Sequence, residues 1–392
     1  MPQRLSMIQI LRSLGAYLVL LLHLSGHEAV HGGDQTPILR HQFFEIGGTA
    51  GVDLFFVISG FIMAYVTVGL PHTLSSAGRF LTARLFRIYP IWWLFLGIQC
   101  LMMVAIFGHP WHPEQVATDS SGPMLFLKSI FLVPQASLPV LGVGWTLVHE
   151  QYFYIVFAGL LLLPRKWLPL ALLLWASLPL FALFTDQSTH RAADLWRLIT
   201  HAMTIEFIAG ALVGWIFTRG VRVLPGPIFL IGLFSFFAAI MFVPPELIKQ
   251  HAEMRVLIFI LPCILLVYGA AGLSQSKRLP SQVDKASMLG DWSYSLYLSH
   301  PIVLVLLRKS LEVAADLTTK AGLPEDLSSA LRLGAPGLTD NIIFISLALI
   351  VSTLVSLLSY RFVERPLIVW FKARRAKAGS VRNEREIEAP PL

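Results

Sequence analysis

The stretch Leu11-Arg12-Ser13-Leu14-Gly15-Ala16-Tyr17-Leu18-Val19-Leu20-Leu21-Leu22-His23-Leu24 sets an arginine and a histidine inside a run otherwise fit for lipid. Eleven positions at about 100° each bring Arg12 and His23 to nearly one helix face, roughly 16 Å apart along the axis. An ionisable side chain within a membrane helix is costly, so it turns towards protein and marks a functional path.

Composition agrees with that reading. Hydrophobic residues make up 55 % of the 392 and charged residues 14 %, and mean hydropathy is +0.68. A soluble domain carries about 25 % charge, so the expected fold is an all-α polytopic integral membrane protein. Runs of about 20 apolar residues predict ten transmembrane helices near 7–26, 46–68, 87–107, 142–163, 167–184, 198–217, 225–243, 255–273, 289–307 and 340–362. The segment after the first run, His23-Leu24-Ser25-Gly26-His27-Glu28, has no small-x-small cleavage pattern, so the first helix is expected to be retained. Cys100 and Cys263 both fall in apolar runs, which implies no disulfide framework.

Ten spans put both termini on one side. With the termini inside, about 20 of the 30 Lys and Arg are cytoplasmic, among them Arg79, Arg165, Lys166, Arg219, Arg222, Lys277 and Arg278; this is the positive-inside pattern, so the expected topology is N-in and C-in. The net charge of +7 lies beside the spans and in the tail, which suits an anionic leaflet and excludes nucleic acid as the partner. The chain divides into a transmembrane domain at 1–372 and a basic, polar cytoplasmic tail at 373–392, expected to be disordered. The outer loops hold His27, Glu28, His31, Asp34, Arg40, His41 and Glu45, then His109, Trp111, His112 and Asp119. They read either as contacts for a polar acceptor or as solvated connectors.

Several residues suit catalysis. His23 sits near the outer end of helix 1, and a neutral imidazole can take a proton from a hydroxyl. Asp53, in Gly51-Val52-Asp53-Leu54-Phe55-Phe56-Val57-Ile58-Ser59-Gly60-Phe61, and Glu150, in Trp145 through Tyr154, fall in the same half of the membrane. Either carboxylate can orient His23; the competing reading of each is a buried ion pair between helices. Arg84 and Arg87 are expected to open helix 3 at the cytoplasmic face, three residues apart on one face, where planar forks can clamp phosphate. Ordinary inner-leaflet charge explains them equally well. His300 precedes Pro301 in mid-span, and Glu364 and Arg365 are expected to pair at the inner interface. Ser59 has no Gly-x-Ser-x-Gly elbow, and neither His-Glu-x-x-His nor a P-loop occurs, which argues against serine hydrolase, zinc protease and ATPase classes. No metal is expected.

Taken together, these segments resemble the membrane acyltransferase family 3, the ten-helix acyltransferases of bacterial surface glycans, over about Ile8 to Pro366. The resemblance rests on Arg12-x10-His23, Arg84-x-x-Arg87, the Asp53 and Trp145–Tyr154 blocks, Ser293-Tyr-Ser-Leu-Tyr-Leu-Ser-His-Pro301 and Phe362-Val-Glu-Arg-Pro366. Gln9-Ile-Leu-Arg12 and Arg87-Ile-Tyr-Pro-Ile-Trp-Trp93 look most like the exopolysaccharide O-acetyltransferase branch. It implies an acyl-CoA donor, acetyl-CoA above all, on the cytoplasmic side of a bacterial inner membrane. It also implies a glycan or lipid-linked sugar acceptor, a catalytic His23, and Arg84 and Arg87 serving the donor, with Arg12 beside them. Direct transfer with His23 as general base and a covalent acyl-His23 route both remain open, and glycan-synthesis proteins are implied as partners. A proton-coupled transporter of a lipid-linked sugar or small anion is the alternative. It would favour internal repeats, which are not evident here.

Overall fold

The computed structural model describes residues 4–32, 38–39, 42–116, 121–183, 194–250, 252–275, 280–335 and 338–374. Asp34, Arg40, His41, Asp119, Lys277, Arg278 and the tail from 375 onwards lie outside them. Among the described residues every regular element is a helix, in the order α1 (Ser6–His31), α2 (Gln42–Val66), α3 (Leu74–Phe107), α4 (Gly122–Ile130), α5 (Trp145–Leu160), α6 (Leu168–Leu183), α7 (Leu195–Ile199) and α8 (Met203–Thr218). There follow α9 (Pro225–Phe242), α10 (Pro245–Gln250), α11 (Ala252–Ser274), α12 (Ser281–Asp291), α13 (Ser293–Lys320), α14 (Glu325–Leu331) and α15 (Thr339–Ser359). A helix occupies each of the ten expected stretches, and seven are long and apolar enough to cross a membrane. The other three are α5 and α8, 16 residues each, and α13, whose later turns carry Arg308, Lys309 and Glu312.

α3 begins earlier than its apolar run suggests. Thr73 caps it, accepting a hydrogen bond from the Ser76 backbone N–H, and three polar turns precede the hydrophobic stretch. Arg84 and Arg87 therefore stand about 15 Å along a 34-residue helix rather than at its opening. Gly108 ends it in the left-handed region with φ 76°, its N–H on the Val104 carbonyl. The polar α12 was not legible from hydropathy. It is tied to α1 by Arg4–Asp291 (2.9 Å) and Ser6–Asp284 (2.8 Å).

α2 is the centre of the molecule, and its glycines set two close crossings. In lipid there is no hydrophobic push between helices, so association depends on close packing of small residues. Gly48, Gly51 and Phe55 recur on one face and meet α1; a Cβ on Gly51 would stand 2.7 Å from the Gly15 carbonyl. Asp53, Val57 and Gly60 recur on another face, where Gly60 and Val57 meet α8; a Cβ on Gly60 would lie 1.9 Å from the backbone oxygen of Phe207. Gly60→Ala is therefore expected to cost at least the about 1–3 kcal/mol typical of overpacking. A thermal melt of detergent-purified protein reads this, and an unchanged melt would mean that the α2–α8 crossing is loose.

Packing around α2 is aromatic. Trp92, Phe153, Phe157 and Phe207 fill the side formed by α3, α5 and α8, and Phe61, Phe217, Phe236 and Phe259 fill the side towards α9 and α11. Leu101, Phe181, Phe234, Phe242 and Phe362 are exposed, an outer surface suited to acyl chains. Both ends of the described chain reach one face: Arg4 and Lys372 border the same recess. Arg165 joins that face by binding the Ala64 carbonyl (2.9 Å) at the end of α2 and Thr218 (3.0 Å) at the end of α8.

Candidate functional site

Two connected hollows lie on the basic side of the bundle. The inner cleft is lined by Arg12 from α1, Arg84 and Arg87 from α3, Glu150 and Tyr154 from α5, and Tyr297 from α13, among others. A wider recess shares Arg12, Ile62, Arg84 and Arg87 with it and is bordered by Arg4, Asp291, Glu364 and Lys372. Arg12 is buried at 9 % exposure, with Nη1 donating to Gln9 Oε1 at 2.9 Å. Arg84 packs its guanidinium towards the Phe80 ring, 5.5 Å from the centroid. The structure thus brings Arg12, Arg84 and Arg87 together, three planar donors around one hollow, which is chemistry for phosphate.

Two carboxylates share that end of the bundle. Glu150 accepts from Ser59 Oγ at 3.2 Å and from the Tyr154 hydroxyl. Glu364 is buried and accepts from Ser295 Oγ at 2.7 Å. It turns inwards, within electrostatic reach of Arg12 and Arg87, instead of pairing with Arg365 at the interface. The cause is local: Tyr360–Glu364 form a π turn, in which the Arg365 N–H bonds the Tyr360 carbonyl just before Pro366. Proline removes the next donor and crowds the preceding turn, and such bulges re-aim side chains.

The histidines meet elsewhere. His23 Nδ1 lies 2.9 Å from the Val19 carbonyl and 3.2 Å from His300 Nε2. The rings are edge-to-face, with centroids 4.7 Å apart and planes at 64°. His300 is fully buried, and its Nδ1 contacts the Leu296 carbonyl at 3.1 Å. Tyr297, a wall of the arginine cleft, has its ring centroid 6.0 Å from that of His300. One residue therefore touches both the cleft and the histidine pair.

Neither carboxylate expected beside His23 is brought to it. The Gly15–Gly51 crossing runs α1 and α2 antiparallel, so Ser59, and with it Glu150, falls level with the Arg12 end of α1. That is about 16 Å from the level of His23. Asp53 faces away from α1: its Oδ1 lies 3.0 Å from Arg255 Nε on α11, and the buried Glu206 carboxylate of α8 is within electrostatic reach. His149 and His201 stack edge-to-face nearby, centroids 4.4 Å apart. Glu206 and Arg255 escaped the sequence reading, although each is a charge within the first turns of an apolar helix. That signal marks a buried partner without saying whose.

The aromatic run after Arg87 has a structural task. Tyr89, Trp92 and Trp93 donate to the carbonyls of Phe131 (2.8 Å), Ser129 (3.0 Å) and Ile130 (3.0 Å). These add side-chain donors to the carbonyls at the end of the short α4, where the regular helical ladder stops. Among the described residues no group of three His, Cys, Asp or Glu side chains could hold a metal ion.

The Acyltransferase domain family matches residues 6–361, which takes in every residue of the inner cleft and those of the recess from Ile8 to Tyr360. The chain is 32 % identical over 347 residues to the "Exopolysaccharide production protein ExoZ" of Rhizobium meliloti (strain 1021), across 85 % of this chain and 93 % of that relative. No solved structure matches it.

Proposed function

The chain belongs to the Acyltransferase domain family, and from that premise we propose that it moves an acetyl group from acetyl-CoA, on the cytoplasmic side of a bacterial inner membrane, to a sugar hydroxyl of an exopolysaccharide. The observation that carries this reading is the cleft in which Arg12, Arg84 and Arg87 converge and whose wall, Tyr297, abuts the His23–His300 pair. Coenzyme A is a polyanion with a long, slim arm ending in a thioester. Its phosphates suit the three guanidiniums, and the roughly 16 Å between the levels of Arg12 and His23 suits the arm. The exopolysaccharide named in the relative from Rhizobium meliloti supports the class of acceptor.

The bundle is oriented in this reading with its basic face in the cytoplasm, N-in and C-in, and all ten apolar helices cross. Arg4, Arg84, Arg165 and Lys372 gather at that face, as the positive-inside rule expects. His23 is the general base. It takes the proton of the acceptor hydroxyl, the oxygen attacks the thioester carbonyl carbon, the C–S bond breaks, and the leaving thiolate recovers the proton from His23. Glu150 balances the guanidinium charge and holds Ser59 and Tyr154 in the cleft wall. Asp53, engaged by Arg255 and Glu206, supports the frame.

The test is transfer of radiolabelled acetyl from acetyl-CoA in membranes that contain the cell's own polysaccharide. Label in the glycan, dependent on this chain, is the expected result; folded protein that neither binds acetyl-CoA nor labels glycan would overturn it. Arg84→Ala and Arg87→Ala are each expected to raise the KM for acetyl-CoA by roughly 10–100-fold, the value of one charge-assisted hydrogen bond. Unchanged donor affinity in either variant would remove that residue from the donor site.

A further inference from the structure

We propose that His300 is the positioning residue of His23, accepting the His23 Nδ1 proton and thereby fixing the tautomer and aim of the base. The inference rests on the transferase reading with His23 as its base.

The hydrogen-bond network leaves one consistent assignment for two neutral rings. His300 Nδ1 lies 3.1 Å from the Leu296 carbonyl, which can only accept, so that nitrogen carries the proton. Pro301 has no N–H, so the Tyr297 carbonyl loses its helical donor and attracts the neighbouring His300 ring. The proline and the histidine beside it work as one device: the first frees an acceptor, the second is oriented by it. His300 Nε2 then bears a lone pair. It faces His23 Nδ1 at 3.2 Å, while the Val19 carbonyl, another pure acceptor, faces the same nitrogen at 2.9 Å. His23 Nδ1 must therefore be the donor, shared between the two, and the basic lone pair of His23 stands on Nε2.

Exposure follows the same division. His300 is fully buried, whereas His23 is half-buried, so the supporting ring is inside and the working ring is the one a substrate can reach. A neutral imidazole is also the economical support inside a membrane. A carboxylate in that place would have to be held ionised where water is scarce. During transfer the hydroxyl proton moves to His23 Nε2, and the imidazolium formed keeps its Nδ1–H on His300 Nε2. When the C–S bond breaks, the Nε2 proton passes to the thiolate and the pair returns to its starting tautomers. His300 itself neither gains nor loses a proton.

The experiment compares His300→Ala, His300→Leu and His300→Gln, each alone and combined with His23→Ala, in detergent-purified full-length protein with acetyl-CoA and the cell's polysaccharide. His300→Ala and His300→Leu are expected to lower kcat by roughly 10–100-fold, the cost of one buried hydrogen bond, with the KM for acetyl-CoA unmoved. His300→Gln offers an amide oxygen as acceptor and should recover most of kcat. In the His23→Ala background His300→Ala should cost nothing further, because the bond it would remove is already gone. Losses that multiply would overturn the proposal; so would a normal kcat in His300→Leu, or a Gln variant no better than Leu at the same melting temperature. Should His300→Ala fail to fold, the Gln and Leu pair decides. A wild-type protein that transfers nothing from acetyl-CoA defeats the transferase reading first, before any His300 variant is compared.

Discussion

His23→Ala lowers the kcat of acetyl transfer by about 10²–10⁴-fold while acetyl-CoA still binds: that is the largest effect expected from this structure. A positioned general base contributes about 10²–10⁴-fold, and with His23 removed no other imidazole takes its place, because His300 is fully buried with its Nδ1 on a backbone carbonyl. Donor affinity should survive because the three guanidiniums line one cleft, and Arg12 among them stands about 16 Å along α1 from the level of His23. The loss therefore falls on kcat alone. The measurement is paired: transfer of labelled acetyl in membranes, and binding of acetyl-CoA by the purified variant. A folded His23→Ala protein that acetylates glycan at the wild-type rate would remove His23 from the chemistry in both routes, direct and covalent. The two routes separate in wild type: label retained on the denatured protein after exposure to acetyl-CoA without acceptor would favour acyl-His23.

Helix periodicity made Arg12 and His23 legible, and the three-residue step made Arg84 and Arg87 so, because each pair lies within one helix and its geometry is fixed by the rise and turn. What could not be read was the register between helices. Glu150 and His23 both fall in the outer half of their apolar runs, and sequence depth alone puts them together. The α1–α2 crossing decides otherwise, and it depends on whether glycines meet glycines at Gly15–Gly51 or one turn away. His300 illustrates the same limit from the other side. Its place before Pro301 was visible, but its partner, 277 positions distant in sequence, was not. The early start of α3 and the helix α12 were hidden for a simpler reason: both are polar, and hydropathy sees only the parts of a membrane protein that face lipid or core.

The second large effect is one of stability. Arg255→Leu is expected to cost about 3–5 kcal/mol, because it leaves two carboxylates, Asp53 and Glu206, buried against each other without their cation. Most of the protein should then be lost from the membrane, and what is purified should melt far below wild type. The double variant Asp53→Asn with Arg255→Leu should recover much of the loss, since the excess charge has gone with its counterion; an Arg255→Leu protein that melts like wild type would show the ion pair to be idle. The same variants decide what Asp53 does. It lies on the face of α2 turned to α8 and α11, while the cleft and the histidine pair belong to the side of α1, α3 and α13. Folded Asp53→Asn molecules should accordingly transfer acetyl at the wild-type kcat, however few of them survive. A folded Asp53→Asn protein with a collapsed kcat would return Asp53 to the reaction and require that α2 carry its charge to His23 by a route other than direct contact.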